Sequence, residues 1–206
     1  DDMLVNGVQT NDMPLIKLAI ANGANVNFLK DKGLYNNKPI WGVYTPLDFA
    51  IRGYYSASLV PCLIANGADV NLESKESVSS PFQITPLIRA IKSRNTSIAR
   101  VLIEAGANVN TPITVYDSTF ISASDTGSTP LLLAVSGPNI TKQTPELVQL
   151  LLEKGADVNQ ANDNGVTPLM RILTWNVYYS WGGFGVSEAS EQIKKKKKLL
   201  AAGANP

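Results

Sequence analysis

Apolar residues recur along this chain at helical spacing, in blocks that each end on a glycine. The residues eight, seven, five, four and three places before Gly23 are Leu15, Ile16, Leu18, Ala19 and Ile20. The same places before Gly67 hold Leu59, Val60, Cys62, Leu63 and Ile64, and before Gly106 they hold Ile98, Ala99, Val101, Leu102 and Ile103. Before Gly155 they hold Leu147, Val148, Leu150, Leu151 and Leu152. Such offsets gather on one side of a helix, so each block predicts a helix with one face on a core. Cys62 lies on that face and reads as a small apolar packing group rather than a nucleophile. Pro61 fits if its helix starts near Ser58, because first-turn amides have no intrahelical partner to lose.

Two polar phrases punctuate the blocks. One closes them: Gly23-Ala24-Asn25-Val26-Asn27, Gly67-Ala68-Asp69-Val70-Asn71, Gly106-Ala107-Asn108-Val109-Asn110, Gly155-Ala156-Asp157-Val158-Asn159, and a clipped Gly203-Ala204-Asn205-Pro206. Its glycine suits the left-handed residue that ends a helix, and its Asn and Asp residues favour tight turns. The other phrase opens helices: Thr45-Pro46-Leu47, Thr85-Pro86-Leu87, Thr129-Pro130-Leu131 and Thr167-Pro168-Leu169. Threonine caps free amides there, and proline in the first helical position sacrifices no hydrogen bond. Between start and stop there is room for two short helices, and the shortest version of each segment gives a period of 33 residues.

This period, with these two phrases, resembles the ankyrin repeat over essentially the whole chain. The resemblance implies an all-α solenoid of helix-turn-helix repeats linked by β-hairpin-like finger loops. A single array over residues 1–206 is expected, with repeats at approximately 1–27, 28–71, 72–110, 111–159 and 160–206. The family usually has histidine after Thr-Pro-Leu, where this chain has Asp48, Ile88, Leu132 and Met170. Its hydrogen bonding must then be met otherwise, by Asp48 in one repeat. Residues 1–10 supply only a shortened first helix, which suits an N-terminal cap. In the last repeat the apolar places read Lys195, Lys196, Lys198, Leu199 and Leu200. The run Lys194–Lys198 reads as a wet cap on the end of the stack, or as a basic patch for nucleic acid, acidic protein or anionic lipid.

Composition narrows the chemistry. With 206 residues, 44% of them apolar, the chain can bury a core without disulfides, and its single cysteine forms none within the chain. There is no histidine, which removes the commonest general base and metal ligand. No paired-carboxylate or phosphate-loop motif replaces it, so neither an enzyme, a metal nor a cofactor is expected. A net charge of +1 steers the chain toward neither nucleic acid nor membrane. No apolar run reaches the eighteen or so residues of a membrane span, so the chain reads as soluble. It is cytoplasmic by default, and exported or periplasmic if Asp1 is a processed terminus.

Function is expected where the repeats are enlarged. The link from phrase-ending Asn to helix-starting Thr is eight residues in the fourth turn (Asn159 to Thr167), but eighteen, fourteen and nineteen in the first three. These links carry Tyr35, Trp41, Tyr44, Phe82, Tyr116 and Phe120, residue types that anchor protein interfaces or, alternatively, pack finger against finger. The resemblance adds groove positions six and seven residues after the helix-start proline, which include Arg52, Lys92, Ser136 and Trp175. The expectation is a monomeric, non-catalytic adaptor or inhibitor that binds another protein through Tyr35, Trp41, Tyr44, Arg52, Phe82, Lys92, Tyr116 and Phe120. A possible second site is the aromatic loop 175–184, with Trp175, Tyr178, Tyr179, Trp181 and Phe184. That loop could stack on a glycan or small ligand, or fold back as a lid over the core.

Overall fold

The computed structural model describes residues 1–28, 30–35, 38–53, 56–75, 82–115, 126–136, 144–179 and 186–205, with backbone alone at 30–35, 38–43, 56, 75, 115, 144, 175–179 and 186–192. Ten helices lie among the described residues, in five consecutive pairs. They are α1 (Asp2–Thr10) with α2 (Met13–Ala21), α3 (Pro46–Arg52) with α4 (Ser56–Ala65), and α5 (Pro86–Lys92) with α6 (Thr96–Glu104). Then come α7 (Pro130–Val135) with α8 (Thr144–Glu153), and α9 (Pro168–Tyr179) with α10 (Val186–Ala201). Two compact units contain them: Asp1–Ala107 with Thr114–Ile121, and Asn108–Ile113 with Ser122–Pro206. In the first, α3 packs between α1 and α5, and α4 against α6; in the second, α7 packs on α9 and α8 on α10.

Each opening phrase starts its helix as the sequence predicts. The hydroxyls of Thr45, Thr85, Thr129 and Thr167 accept from the backbone N–H of Asp48, Ile88, Leu132 and Met170 at 3.1–3.3 Å. One otherwise orphaned helix-start donor is thereby satisfied in each repeat, without histidine.

The closing phrase can be read residue by residue. Its glycine is left-handed at every occurrence, with φ between 82° and 92° at Gly23, Gly67, Gly106, Gly155 and Gly203. That turn lets the following alanine N–H reach back to the helix: Ala24 to Ala19 O, Ala68 to Leu63 O, Ala107 to Leu102 O, Ala156 to Leu151 O and Ala204 to Leu199 O, all at 2.9–3.0 Å. This is the Schellman closure, and the residue that makes it is usually apolar and in contact with the helix. The next residue turns the chain through its side chain, as Asn25, Asp69, Asn108 and Asp157 accept from the N–H two residues on at 2.8–2.9 Å. The last residue of the phrase joins one turn to the next. Asn27 Nδ2 donates to Gly67 O at 2.9 Å while its Oδ1 accepts from Asp69 N at 2.7 Å. Asn110 makes the same two bonds to Gly155 O and Asp157 N, and Asn159 to Gly203 O and Asn205 N. Asn71 donates to Gly106 O at 3.4 Å.

All three enlarged links carry strands. β1 (Lys30–Tyr35) and β2 (Lys38–Tyr44) form an antiparallel hairpin with Tyr35 opposite Lys38 and an irregular register between Lys30 and Lys32. β3 (Ser74–Lys75) and β4 (Phe82–Ile84) pair antiparallel, and β5 (Thr114–Val115) from the third link adds to the other edge of β4.

Several expectations change. The first helix is not shortened: α1 has nine residues against seven in α3 and α5. Helix α4 starts at Ser56, so Pro61 lies beyond its first turn. Pro61 and Ala57 are both exposed, where water reaches the carbonyl that a proline leaves unpaired. Cys62 is half-buried rather than fully enclosed. Lys195 is not on a wet face. It is 1% exposed and donates to Ala134 O at 3.2 Å, a last-turn carbonyl of the short helix α7, so it caps that helix end from the core. Lys196 is exposed at a place where Ile16, Val60, Ala99 and Val148 are buried, and Lys198 reaches Gln149 Oε1 at 2.9 Å.

The joining asparagine needs an amide, because a carboxylate can accept from the next turn but cannot donate to its carbonyl. Asn27→Asp is expected to cost about 1–2 kcal/mol in urea unfolding. Asp69→Asn, at a place that only accepts and where the chain elsewhere has Asn25 and Asn108, should change stability by less than about 0.5 kcal/mol. Equal effects of the two substitutions would remove the joining role.

Candidate functional site

The first unit gathers charged and aromatic side chains where the links meet α3 and α5. Its centre is Asp48, fully buried in the first turn of α3. One carboxylate oxygen, Oδ2, accepts from Thr45 N at 3.0 Å and Thr45 Oγ1 at 2.9 Å, completing a capping box. The other, Oδ1, accepts from Arg89 Nε of α5 at 2.7 Å. Arg89 is 3% exposed, and its Nη2 donates to Ser74 Oγ on β3 at 2.6 Å. Both charges are thus removed from water and paired, the condition under which burial of an ion pair is tolerated.

Aromatic rings extend this assembly outward. The Arg89 guanidinium lies 5.4 Å from the ring centroid of Tyr44, at the end of β2, and that of Arg52 lies 4.6 Å from the same ring. Phe49 meets Tyr44 edge-on, at 5.7 Å and 65°. One repeat further along, Lys92 Nζ stands 5.9 Å from the Phe82 ring on β4. Arg52 and Lys92 are both exposed, close α3 and α5 respectively, and stand six residues after Pro46 and Pro86. Cations over aromatic faces at such distances are held electrostatically.

Of the eight residues expected to meet a partner, four are described with their side chains. Arg52 and Lys92 are exposed and Phe82 is half-buried. Tyr44 is a correction: at 3% exposure it is not offered to a partner, because Arg52, Arg89 and Phe49 enclose it. Tyr35 and Trp41 lie on β1 and β2, but their side chains, like the whole of Tyr116 and Phe120, are outside the described residues. Ser136 turns inward, donating to Leu132 O at 2.6 Å. The aromatic stretch 175–184 is not a loop throughout, since α9 continues to Tyr179 and so includes Trp175, Tyr178 and Tyr179 in a helix. No glycine or proline interrupts the chain before Gly182, which leaves the helix free to continue. The side chains of Trp175, Tyr178 and Tyr179, and all of Trp181 and Phe184, lie outside the described residues.

Asp48, Arg89 and Ser74 were missed as a group. Their signal was a carboxylate three residues after one helix-start threonine, and an arginine four residues after the next. Among the described residues no cluster of His, Cys, Asp and Glu could hold a metal ion, and no helix is long and apolar enough to cross a membrane.

The family model for ankyrin repeats (3 copies) matches residues 4–113 and 47–162. The chain belongs to the ankyrin-repeat family. Ankyrin repeats are generally non-catalytic protein–protein interaction modules. Over 105 residues the chain is 36% identical to a protein of Acanthamoeba polyphaga mimivirus named as an ankyrin repeat protein, covering 51% of this chain and 49% of that relative. Over 194 residues it is 27% identical to Ankyrin repeat and SOCS box protein 6 of Homo sapiens, covering 91% of this chain and 39% of that relative. The protein of the same name in Pongo abelii matches to the same extent. The chain thus spans half or less of the length of these curated ankyrin-repeat relatives.

A second arginine shows what the buried pair contributes. Arg171 stands four residues after Thr167, as Arg89 does after Thr85, but the place of Asp48 in the preceding helix is taken by Leu132. Arg171 Nε is buried without a hydrogen-bond partner among the described residues. Arg89→Met would strand the Asp48 carboxylate and should cost about 3–5 kcal/mol. Arg171→Met should be neutral within about 1 kcal/mol or stabilising. Thermal unfolding of the two variants distinguishes them, and a comparable loss in both would mean that the pairing carries no special weight.

Proposed function

We propose that this ankyrin-repeat chain is a non-catalytic docking module, an adaptor or an inhibitor, that holds a partner protein where the enlarged fingers meet the inner helices α3 and α5. The observation that carries this reading is the matched placement of Arg52 and Lys92. Two exposed cations occupy the same register on neighbouring helices, each set over an aromatic ring supplied by a finger strand. Arginine and aromatic residues at a preorganised surface are the usual energetic centres of protein interfaces. Tyr35, Trp41, Tyr116 and Phe120 belong to the same enlarged links and extend the proposed contact along the fingers. A monomer suffices for such docking.

The test is affinity purification from the native source with three baits. One is the parent chain, the second carries Arg52→Gln with Lys92→Gln, and the third carries Lys17→Gln with Arg100→Gln, at exposed places on α2 and α6. A specific partner should be retained by the parent and by the third bait and lost, or reduced at least about fivefold, with the second. A partner held equally by all three baits would place docking elsewhere, and recovery of none would remove the reading.

A further inference from the structure

The exposed apolar side chains of this molecule are not spread evenly along it. Among the described residues, the large hydrophobics left exposed are Met3 and Leu18 on α1 and α2, and Met170, Leu173, Ile193 and Leu200 on α9 and α10. None of them lies on α3 to α8. Leu18 stands where Cys62, Val101 and Leu150 are half-buried, and Leu200 where Ile103 is buried. They occupy places that a neighbouring helix pair covers elsewhere in the chain.

Side-chain charge divides in the same way. Residues 1–27 hold Asp1, Asp2 and Asp12 against Lys17, a balance of −2. Residues 28–185 hold twelve groups of each sign, and residues 186–206 hold five lysines against Glu188 and Glu191, a balance of +3. The three aspartates are exposed. Asp1 and Asp12 accept from the backbone N–H of Asn25 at 3.0 Å and of Leu15 at 2.9 Å, neutral partners that leave the carboxylate charge in place. Lys195 and Lys198 are engaged within the chain, whereas Lys196 and Lys197 are exposed and make no hydrogen bond or ion pair among the described residues. Ile193, Lys196, Lys197 and Leu200 follow one another at helical spacing and share one face of α10.

An apolar and cationic face in the second unit is thus matched by an apolar and anionic face in the first. Independently of the docking reading above, we infer that the chain self-associates head to tail, the face of α9 and α10 (the tail) taking that of α1 and α2 (the head) from a second copy. A helix pair suits the tail, because α9 itself packs on α7, where Leu132 and Val135 at the places of Met170 and Leu173 are buried. Opposite charge draws head to tail, while like charge disfavours head on head and tail on tail. An anionic bilayer would answer the lysines and apolar residues of the tail but not the aspartates of the head. Two different surfaces meet in this contact, so each copy keeps one face for a further copy.

Sedimentation equilibrium over about 1–1,000 μM, the weak end of interface affinities, tests this. The parent chain should rise above monomer mass with concentration, and less so as sodium chloride screens the charges. A head variant carries Met3→Gln with Leu18→Gln, and a tail variant Leu173→Gln with Leu200→Gln. All four residues are exposed, and melting temperature is the fold control. Each variant alone should stay monomeric. Their equimolar mixture should form a dimer and go no further, since one working tail and one working head remain. Lys196→Glu with Lys197→Glu is a second tail variant that alters charge alone, and mixed with the head variant it should give the same dimer. A parent that stays monomeric, association unaffected by salt, variants that associate as the parent does, or mixtures that fail to pair would each overturn the inference. Phosphatidylserine vesicles that bind a monomeric parent but not the Lys196→Glu, Lys197→Glu chain would overturn it in favour of a membrane-facing surface. None of these outcomes bears on docking at Arg52 and Lys92.

Discussion

The side-chain amide of the asparagine that ends each closing phrase is the contact on which the rest is hung. It donates to the carbonyl of the next turn's glycine and accepts from the amide two residues further on, so successive turns are held at a fixed offset. Neither bond is strong by itself, at about 1 kcal/mol net. Its importance is geometric. Repeat stacks are stabilised by nearest-neighbour interfaces, and within each unit a fixed offset between turns brings the helices of one pair against those of the next. Within the first unit, that offset places α3 beside α5 and hence Arg52 one step from Lys92.

The same register explains why identical residue types have different fates. Arg89 and Arg171 occupy equivalent places, yet one meets a carboxylate and a serine while the Nε of the other has no partner among the described residues. The difference lies one helix earlier, in Asp48 against Leu132. Met170 and Leu173 show the converse case. They are 43% and 41% exposed on α9, whereas Leu132 and Val135, in the same places on α7, are fully buried. α7 has α9 packed against it, so burial here follows the neighbour rather than the residue.

How much of this was legible depended on the distance over which each feature is decided. The helix starts and stops were readable because threonine, proline and left-handed glycine act within a few residues of themselves. The apolar stripe was readable because helical spacing is local. Lys195 was not, because its burial depends on the carbonyl of Ala134 about sixty residues earlier, and a lysine in a run of five gives no sign of it. Tyr44 looked like a finger aromatic free to meet a partner, and its enclosure depends on Arg89 from the following repeat. The extension of α9 through Trp175 was hidden by comparison with shorter repeats, which made the additional residues look like a loop. The exposed cations Arg52 and Lys92 were legible as positions, but the rings beneath them were visible only once strand and helix were brought together.

Tyr44 and Arg89 also connect the buried ion pair to the exposed side chain of Arg52. An arginine used for recognition gives up about 2 kcal/mol of side-chain freedom on binding unless it is already ordered. Arg52 lies over Tyr44, Tyr44 is enclosed by Phe49 and Arg89, and Arg89 is fixed by Asp48 and Ser74. The order imposed on the surface cation therefore begins at a carboxylate with no exposure at all. A buried ion pair is weak evidence for stability, since apolar residues in its place are often at least as stabilising. Leu132 shows that the chain accepts an apolar residue at the equivalent position. A charged pair in the first unit, beneath the two stacked cations, is thus better accounted for by the orientation it gives to Tyr44 and Arg52 than by its contribution to folding.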